Sequence, residues 1–122
     1  MTPLLRALRG ATTLDDDTRD QVLARTAELV TTMMERNGLA HEDLVSLIFT
    51  ATRDIHSEFP AAAARSIGIS DVPLLCAQEL DVNGAVVRCI RVLMHLVTDK
   101  PASELRHVYL HGAQMLRLDL PR

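Results

Sequence analysis

Aromatic side chains are nearly missing from this chain: they make up 2% of it, with no Trp, Tyr109 as the one tyrosine, and Phe49 and Phe59 as the two phenylalanines. Nucleic-acid binding draws on stacking rings and basic tracts, and a net charge of −3 supplies no basic surplus, so no nucleic-acid partner is expected. No apolar run approaches the roughly 20 residues a membrane-spanning helix needs. The opening MTPLLRALRG is too short, and too soon interrupted by arginines, to be a signal peptide. The two cysteines, Cys76 and Cys89, lack metal-ligand spacing, and the five histidines form no HExxH-type pair. There is no Gly-rich phosphate loop and no GxSxG turn. These absences describe a cytoplasmic, reduced protein with no membrane contact, metal or cofactor, and the length of 122 residues describes one domain, 1–122.

What is present is an alternation of short β-like runs and helical stretches. Residues 4–12 read as a first strand that breaks at Gly10, with Arg6 and Arg9 of opposite parity, so only one of them faces a given side. Asp15-Asp16-Asp17-Thr18 caps a helix over 19–37, whose stripe of Val22, Leu23, Thr26, Leu29, Val30, Met33 and Met34 faces a core; Asn37-Gly38 stops it. A helical turn at 41–43 leads into a strand over 45–52. Pro60 opens an alanine-rich helix that Gly68 closes, with Arg65 near its C-terminal end, where a cation suits the dipole. Residues 72–80 read as a third strand, 98–105 as a capped turn of helix, 107–110 as a strand, 111–116 as a last helical segment and 117–122 as a tail. The order describes an α+β fold, helices on one face of a mixed sheet.

The stretch 86–97, VVRCIRVLMHLV, organises the rest. Its polar positions, Arg88, Arg91 and His95, would also suit one face of a helix. Its length, its valines and the preceding Asn83-Gly84 favour a strand. On a strand, Cys89, Arg91, Leu93 and His95 share one face. Asn83-Gly84 as a two-residue hairpin loop would set Cys76 opposite Arg91 and Glu79 opposite Arg88, leaving the cysteines diagonal and unsuited to a disulfide. Arg91 always carries its charge, so it requires an anion. The plainer account is a rim arginine in an ordinary ion pair with a carboxylate such as Glu79. The alternative is a binding site: Arg9 and Arg91, with Arg65, Arg117, Tyr109 and Glu79, form an inventory suited to a small dianion that also carries a hydrogen-bonding group.

The segments RALRGATTLDDDT, FPAAAAR, VPLLCAQELDVNG, CIRVLMHLVTDKP, RHVYL and LRLDL, in this order and spacing, resemble the AroH-class chorismate mutases over roughly residues 6–120. The resemblance implies a chorismate-mutase-type pseudo-barrel, ferredoxin-like in its α+β layering, completed in a homotrimer with active sites at the subunit interfaces. It implies the pericyclic Claisen rearrangement of chorismate to prephenate in phenylalanine and tyrosine biosynthesis. It also implies roles: Arg9 and Tyr109 grip a carboxylate, Arg91 faces the breaking ether oxygen, and Glu79 and Cys76 hold the ring hydroxyl. Phe59 and Arg65 would come from the neighbouring subunit, and Arg117 would help close the site. Ala62, Leu75 and Leu118 depart from the family pattern. Two rivals accompany this reading: a non-catalytic trimeric module for a small carboxylate, and a deaminase-like small trimeric enzyme.

Overall fold

The computed structural model describes residues 2–117. Helix α1 (Arg19–Asn37) begins where Thr18 Oγ1 accepts the Gln21 N–H at 3.1 Å. It ends at Gly38, whose φ of 63° gives the left-handed turn that lets Leu39 N–H reach the Met34 carbonyl. Helix α2 (Pro60–Ser66) starts on proline, whose fixed φ and missing N–H cost nothing in a first turn. The strands are β1 (Leu4–Thr13), β2 (Leu44–Ala51), β3 (Leu74–Gln78), β4 (Cys89–Thr98) and β5 (Val108–Tyr109). Three 3-10 turns, His41–Asp43, Ala102–Glu104 and His111–Leu116, fall where helical segments were expected.

The five strands form one mixed sheet in the order β3-β2-β4-β1-β5. β4 lies antiparallel between β1 and β2, while β3 runs parallel to β2 and β5 parallel to β1. Both helices cover one face. Leu29, Val30, Met33 and Met34 of α1 and Ala61 and Ala64 of α2 share a buried cluster with Leu8, Leu47, Phe49, Val92, Met94 and Leu96. The period-2 alternation of β4 therefore buries 90, 92, 94 and 96 and turns Arg91, Leu93 and His95 to the other face. Among the described residues no helix covers that face; the His111–Leu116 turn packs on Ala11 and Cys89 at one end, and Leu5 (62%), Leu75 (60%) and Val97 (37%) are exposed.

Two expectations are corrected. The first strand does not break at Gly10 but continues to Thr13. Gly10 serves a close approach, not a turn: a Cβ there would stand 2.5 Å from Met33 Sδ, so its absence lets α1 sit down on β1. The second correction is larger. Asn83-Gly84 does not close a β3–β4 hairpin, because β2 lies between those strands. Helix α2 supplies the crossover that a parallel β2–β3 pair needs, and both edges of β4 are taken by β1 and β2. The turn chemistry of Gly84, at φ 81°, is spent inside the loop that carries the chain back to β4. Cys76 consequently lies beside Phe49, not opposite Arg91. Arg88 lies before β4 in a left-handed conformation (φ 46°); its backbone N–H donates to Asp54 at 2.9 Å and its Nε to the Leu14 carbonyl at 3.1 Å, so Glu79 is not its partner. Cys76 and Cys89 are free thiols, though the hairpin register that set them diagonal does not form.

Candidate active site

The open face of the sheet places Arg91, Ala11 and Tyr109 in one row, since Ala11 lies beside Arg91 of β4 and beside Tyr109 of β5. A methyl side chain between two long ones makes a floor with an arginine on one side and a phenol on the other. Arg9, two residues along β1, shares the parity of Ala11 and so the same face. Arg117, after the last 3-10 turn, lines the same space. The result is a cleft of about 380 Å³, within the range that holds small metabolites. Ile48, Leu93 and Leu116 give it apolar walls, and Arg9, Arg91, Arg117, Tyr109 and Thr50 its polar groups.

Glu79 joins this group in a way no hairpin could arrange. Its N–H donates to the Ala51 carbonyl, extending the β2–β3 ladder by one residue. From there its carboxylate reaches over β2, and Oε2 forms an ion pair with Arg91 Nε at 2.9 Å. The same oxygen accepts the Thr50 hydroxyl at 2.6 Å. Thr50 lies beside Arg91 in the β2–β4 register and is the functional neighbour that sequence reading missed. Its only signal was its place on the polar face of β2, alternating with Leu47 and Phe49, and that face acquires meaning only once the register to Arg91 is known. With the Arg91 side chain 44% exposed, the ion pair adds about 1 kcal/mol or less to stability. Its effect is to orient: Nε is engaged, and the guanidinium stands at the cleft instead of being locked inside the protein.

His107 supports the other arginine. Its Nδ1 accepts the Arg9 backbone N–H at 2.9 Å, so that nitrogen carries no proton. Burial, followed by the charges of Arg9 and Arg117, lowers its pKa below the ordinary value and favours the neutral ring. Cys89 is buried under the site, and desolvation pushes its thiol up to about 11, which leaves it inert as a nucleophile.

Arg9, Glu79, Arg91, Tyr109 and Arg117 are thus brought together. Phe59, Arg65 and Cys76 are not. Phe59, 67% exposed, and Cys76 line a separate depression of about 610 Å³ bounded by the 51–60 loop and β3. The Cys76 side chain packs toward the helix-covered core, on the opposite side of the sheet from Glu79, as their parity required. Arg65 is exposed in the last turn of α2. The loop carrying Phe59 is held by carboxylates: Asp17 accepts from His56 N, Ser57 N and Ser57 Oγ, and Asp54 from Thr52 Oγ1 and Arg88 N. The Ser57 hydroxyl above all lowers the pKa of Asp17. For Asp54 burial pushes upward, but the hydrogen bonds from Thr52 and Arg88 outweigh it and the net shift is also down. Leu118 and the rest of the tail to Arg122 lie outside the described residues.

Fold and site together define a small α+β protein with a preformed cationic cleft for an organic anion. A family model for chorismate mutase type I matches residues 5–120. The chain is 48% identical over 118 residues to the chorismate mutase AroH of Thermus thermophilus, covering 96% of this chain and 97% of that one. It is 43% identical over 118 residues to the chorismate mutase AroH of Bacillus subtilis (strain 168), covering 96% and 93%. The solved structure of a chorismate mutase from Clostridium thermocellum superposes with a TM-score of 0.89 at 47% identity, covering 90% of this chain and 98% of that one. The chain belongs to the chorismate mutase type I family. Its activity is that of an isomerase, the rearrangement of chorismate to prephenate, and the comparisons support neither the non-catalytic nor the deaminase-like reading.

Proposed function

We propose that the cleft on the open sheet face binds chorismate as a dianion and that a homotrimer of this single domain, 1–122, completes the site in the cytoplasm. The observation that carries the reading is the tethered fork of Arg91: a permanent cation at the cleft, its Nε fixed by Glu79 at 2.9 Å. A pericyclic rearrangement needs no protein nucleophile and no proton shuttle. It needs the substrate folded into a chair-like, near-attack geometry, which pre-organisation favours by several kcal/mol. It also needs positive charge at the ether oxygen, because C–O cleavage runs ahead of C–C bond formation. Arg91 provides that charge where it acts more strongly on the transition state than on bound chorismate.

In this account Arg9 and Tyr109 grip one carboxylate, Glu79 takes the ring hydroxyl, and Arg117 helps close the cleft. Phe59 and Arg65 reach the cleft from the neighbouring subunit. Cys76 lies with Phe59 and away from Glu79, so any contact it makes with the hydroxyl also comes from the neighbour. What supports the trimer is the uncovered apolar surface of Leu5, Leu75 and Val97 on the sheet face that carries the cleft, together with the outward ring of Phe59.

Mixed assemblies test the shared site. Arg65→Ala and Arg91→Ala proteins, each inactive in the loss of chorismate absorbance, should recover partial activity after co-assembly, because some interfaces then pair two intact halves. No recovery in mixed trimers verified by mass would contradict shared sites.

A further inference from the structure

We infer that Thr50 is a positioning residue for the mutase reaction, acting through Glu79 on the aim of Arg91; the inference rests on the reading of Arg91 given above. Glu79 Oε2 accepts a hydrogen bond from Thr50 Oγ1 at 2.6 Å and forms an ion pair with Arg91 Nε at 2.9 Å. An ionised carboxylate can only accept, so the hydroxyl must donate, and its proton direction is settled. Thr50 stands on β2, the strand between the one that leads to Glu79 and the one that carries Arg91, and it lies directly beside Arg91. Being β-branched on a central strand, it has little freedom at χ1, so its hydroxyl is fixed by the backbone itself.

Glu79 has no such restraint. It extends one residue past the end of β3 on a long side chain, and the following residues leave the sheet for the loop back to β4. With the Thr50 hydroxyl and the Arg91 cation both on Oε2, the carboxylate is held between β2 and β4. Arg91 is in turn tethered at Nε by the ion pair, beside the cleft that it and Thr50 both line. Without the hydroxyl, Glu79 keeps its attraction to Arg91 but loses the anchor that defines where that attraction is exerted. The pair can then shift as a unit. Displacement of a catalytic group by about 1 Å costs on the order of 10²-fold in rate.

The kinetics of three variants test this. Thr50→Val keeps the branched shape and removes the hydroxyl; kcat should fall by roughly 10- to 100-fold while KM changes much less, since the aim at the transition state is what suffers. Thr50→Ser retains the donor and should restore kcat to within a few-fold of wild type. In a Glu79→Ala background, Thr50→Val should cost almost nothing further, because the residue through which it acts is gone. A Thr50→Val enzyme with wild-type kcat would overturn the inference. So would an undiminished penalty in the Glu79→Ala background, which would make Thr50 a direct substrate contact, or a Thr50→Ser variant no better than Thr50→Val, which would make the role one of packing. Arg91→Ala is assayed in parallel. If that variant keeps wild-type turnover, the reading of Arg91 has failed, whereas failure of the Thr50 variants alone leaves it standing.

Discussion

Arg9 is held by its backbone as well as aimed by its side chain, and the holding group is titratable. The neutral His107 ring accepts the Arg9 N–H, and protonation at Nδ1 would break that bond beside two cations, Arg9 and Arg117. The pKa of the folded ring lies below its ordinary 6.5, so as pH falls through 6.5 the unfolded chain takes the proton first. The stabilisation is therefore complete above 6.5 and is lost as pH falls toward the folded-state value. His107→Asn, whose side-chain oxygen can accept without titrating, should lose less stability than wild type between pH 6.5 and that lower value in chemical denaturation. Parallel curves for the two proteins would contradict this. Turnover itself should be nearly flat above 6.5 with a solvent deuterium effect of about 1, since no proton moves in the reaction. At this scale the sequence was readable in part. The charge of Arg91 demanded an anion, and strand parity put Arg6 and Arg9 on different faces. Thr50 and His107 were invisible because a hydroxyl or an imidazole acquires a role only from what the register sets beside it.

Among the elements, β1 shows how a residue can be noticed for the wrong reason. Gly10 looked like a strand end, yet its part is to give room to Met33 and Leu29 of α1. Gly10→Ala should therefore destabilise by about 1–3 kcal/mol, the ordinary cost of overpacking, even though alanine suits a strand better than glycine does. Thermal unfolding measures it; an unchanged midpoint would mean that α1 gives way freely. The same distinction between local and global signals explains the lost hairpin. Asn83-Gly84 is a sound turn signal, and a turn forms there, but a dipeptide cannot report that β2, more than thirty residues earlier, already occupies the edge of β4. The helices were legible for the opposite reason: the Thr18 cap, the apolar stripe and the Gly38 stop are all local to α1. The strand parity of β4 was equally legible, because alternation over Cys89–Thr98 depends on burial alone.

For the whole molecule, the open face is the decisive feature. A sheet covered by helices on one side, with Leu5, Leu75 and Val97 exposed on the other, is half of a core. Sedimentation equilibrium should return three times the chain mass of 13.5 kDa for the wild-type protein. Leu5→Asp, which puts a charge on that face, should shift the mass toward the monomer and reduce turnover in step. A wild-type protein that is monomeric and fully active would contradict the trimer. In the proposed trimer the separation of Phe59 and Cys76 from the arginine cleft of one chain would be closed across a copy.

The most direct test of the account is the turnover number of Arg91 variants at saturating chorismate. Arg91→Ala should lower kcat by on the order of 10²–10³-fold or more, the cost of removing one pre-organised donor from a developing oxyanion. Arg91→Lys should remain well below wild type, because a point charge does not reproduce a fork. Turnover within a few-fold of wild type in the alanine variant would contradict the claim that this guanidinium stabilises the transition state.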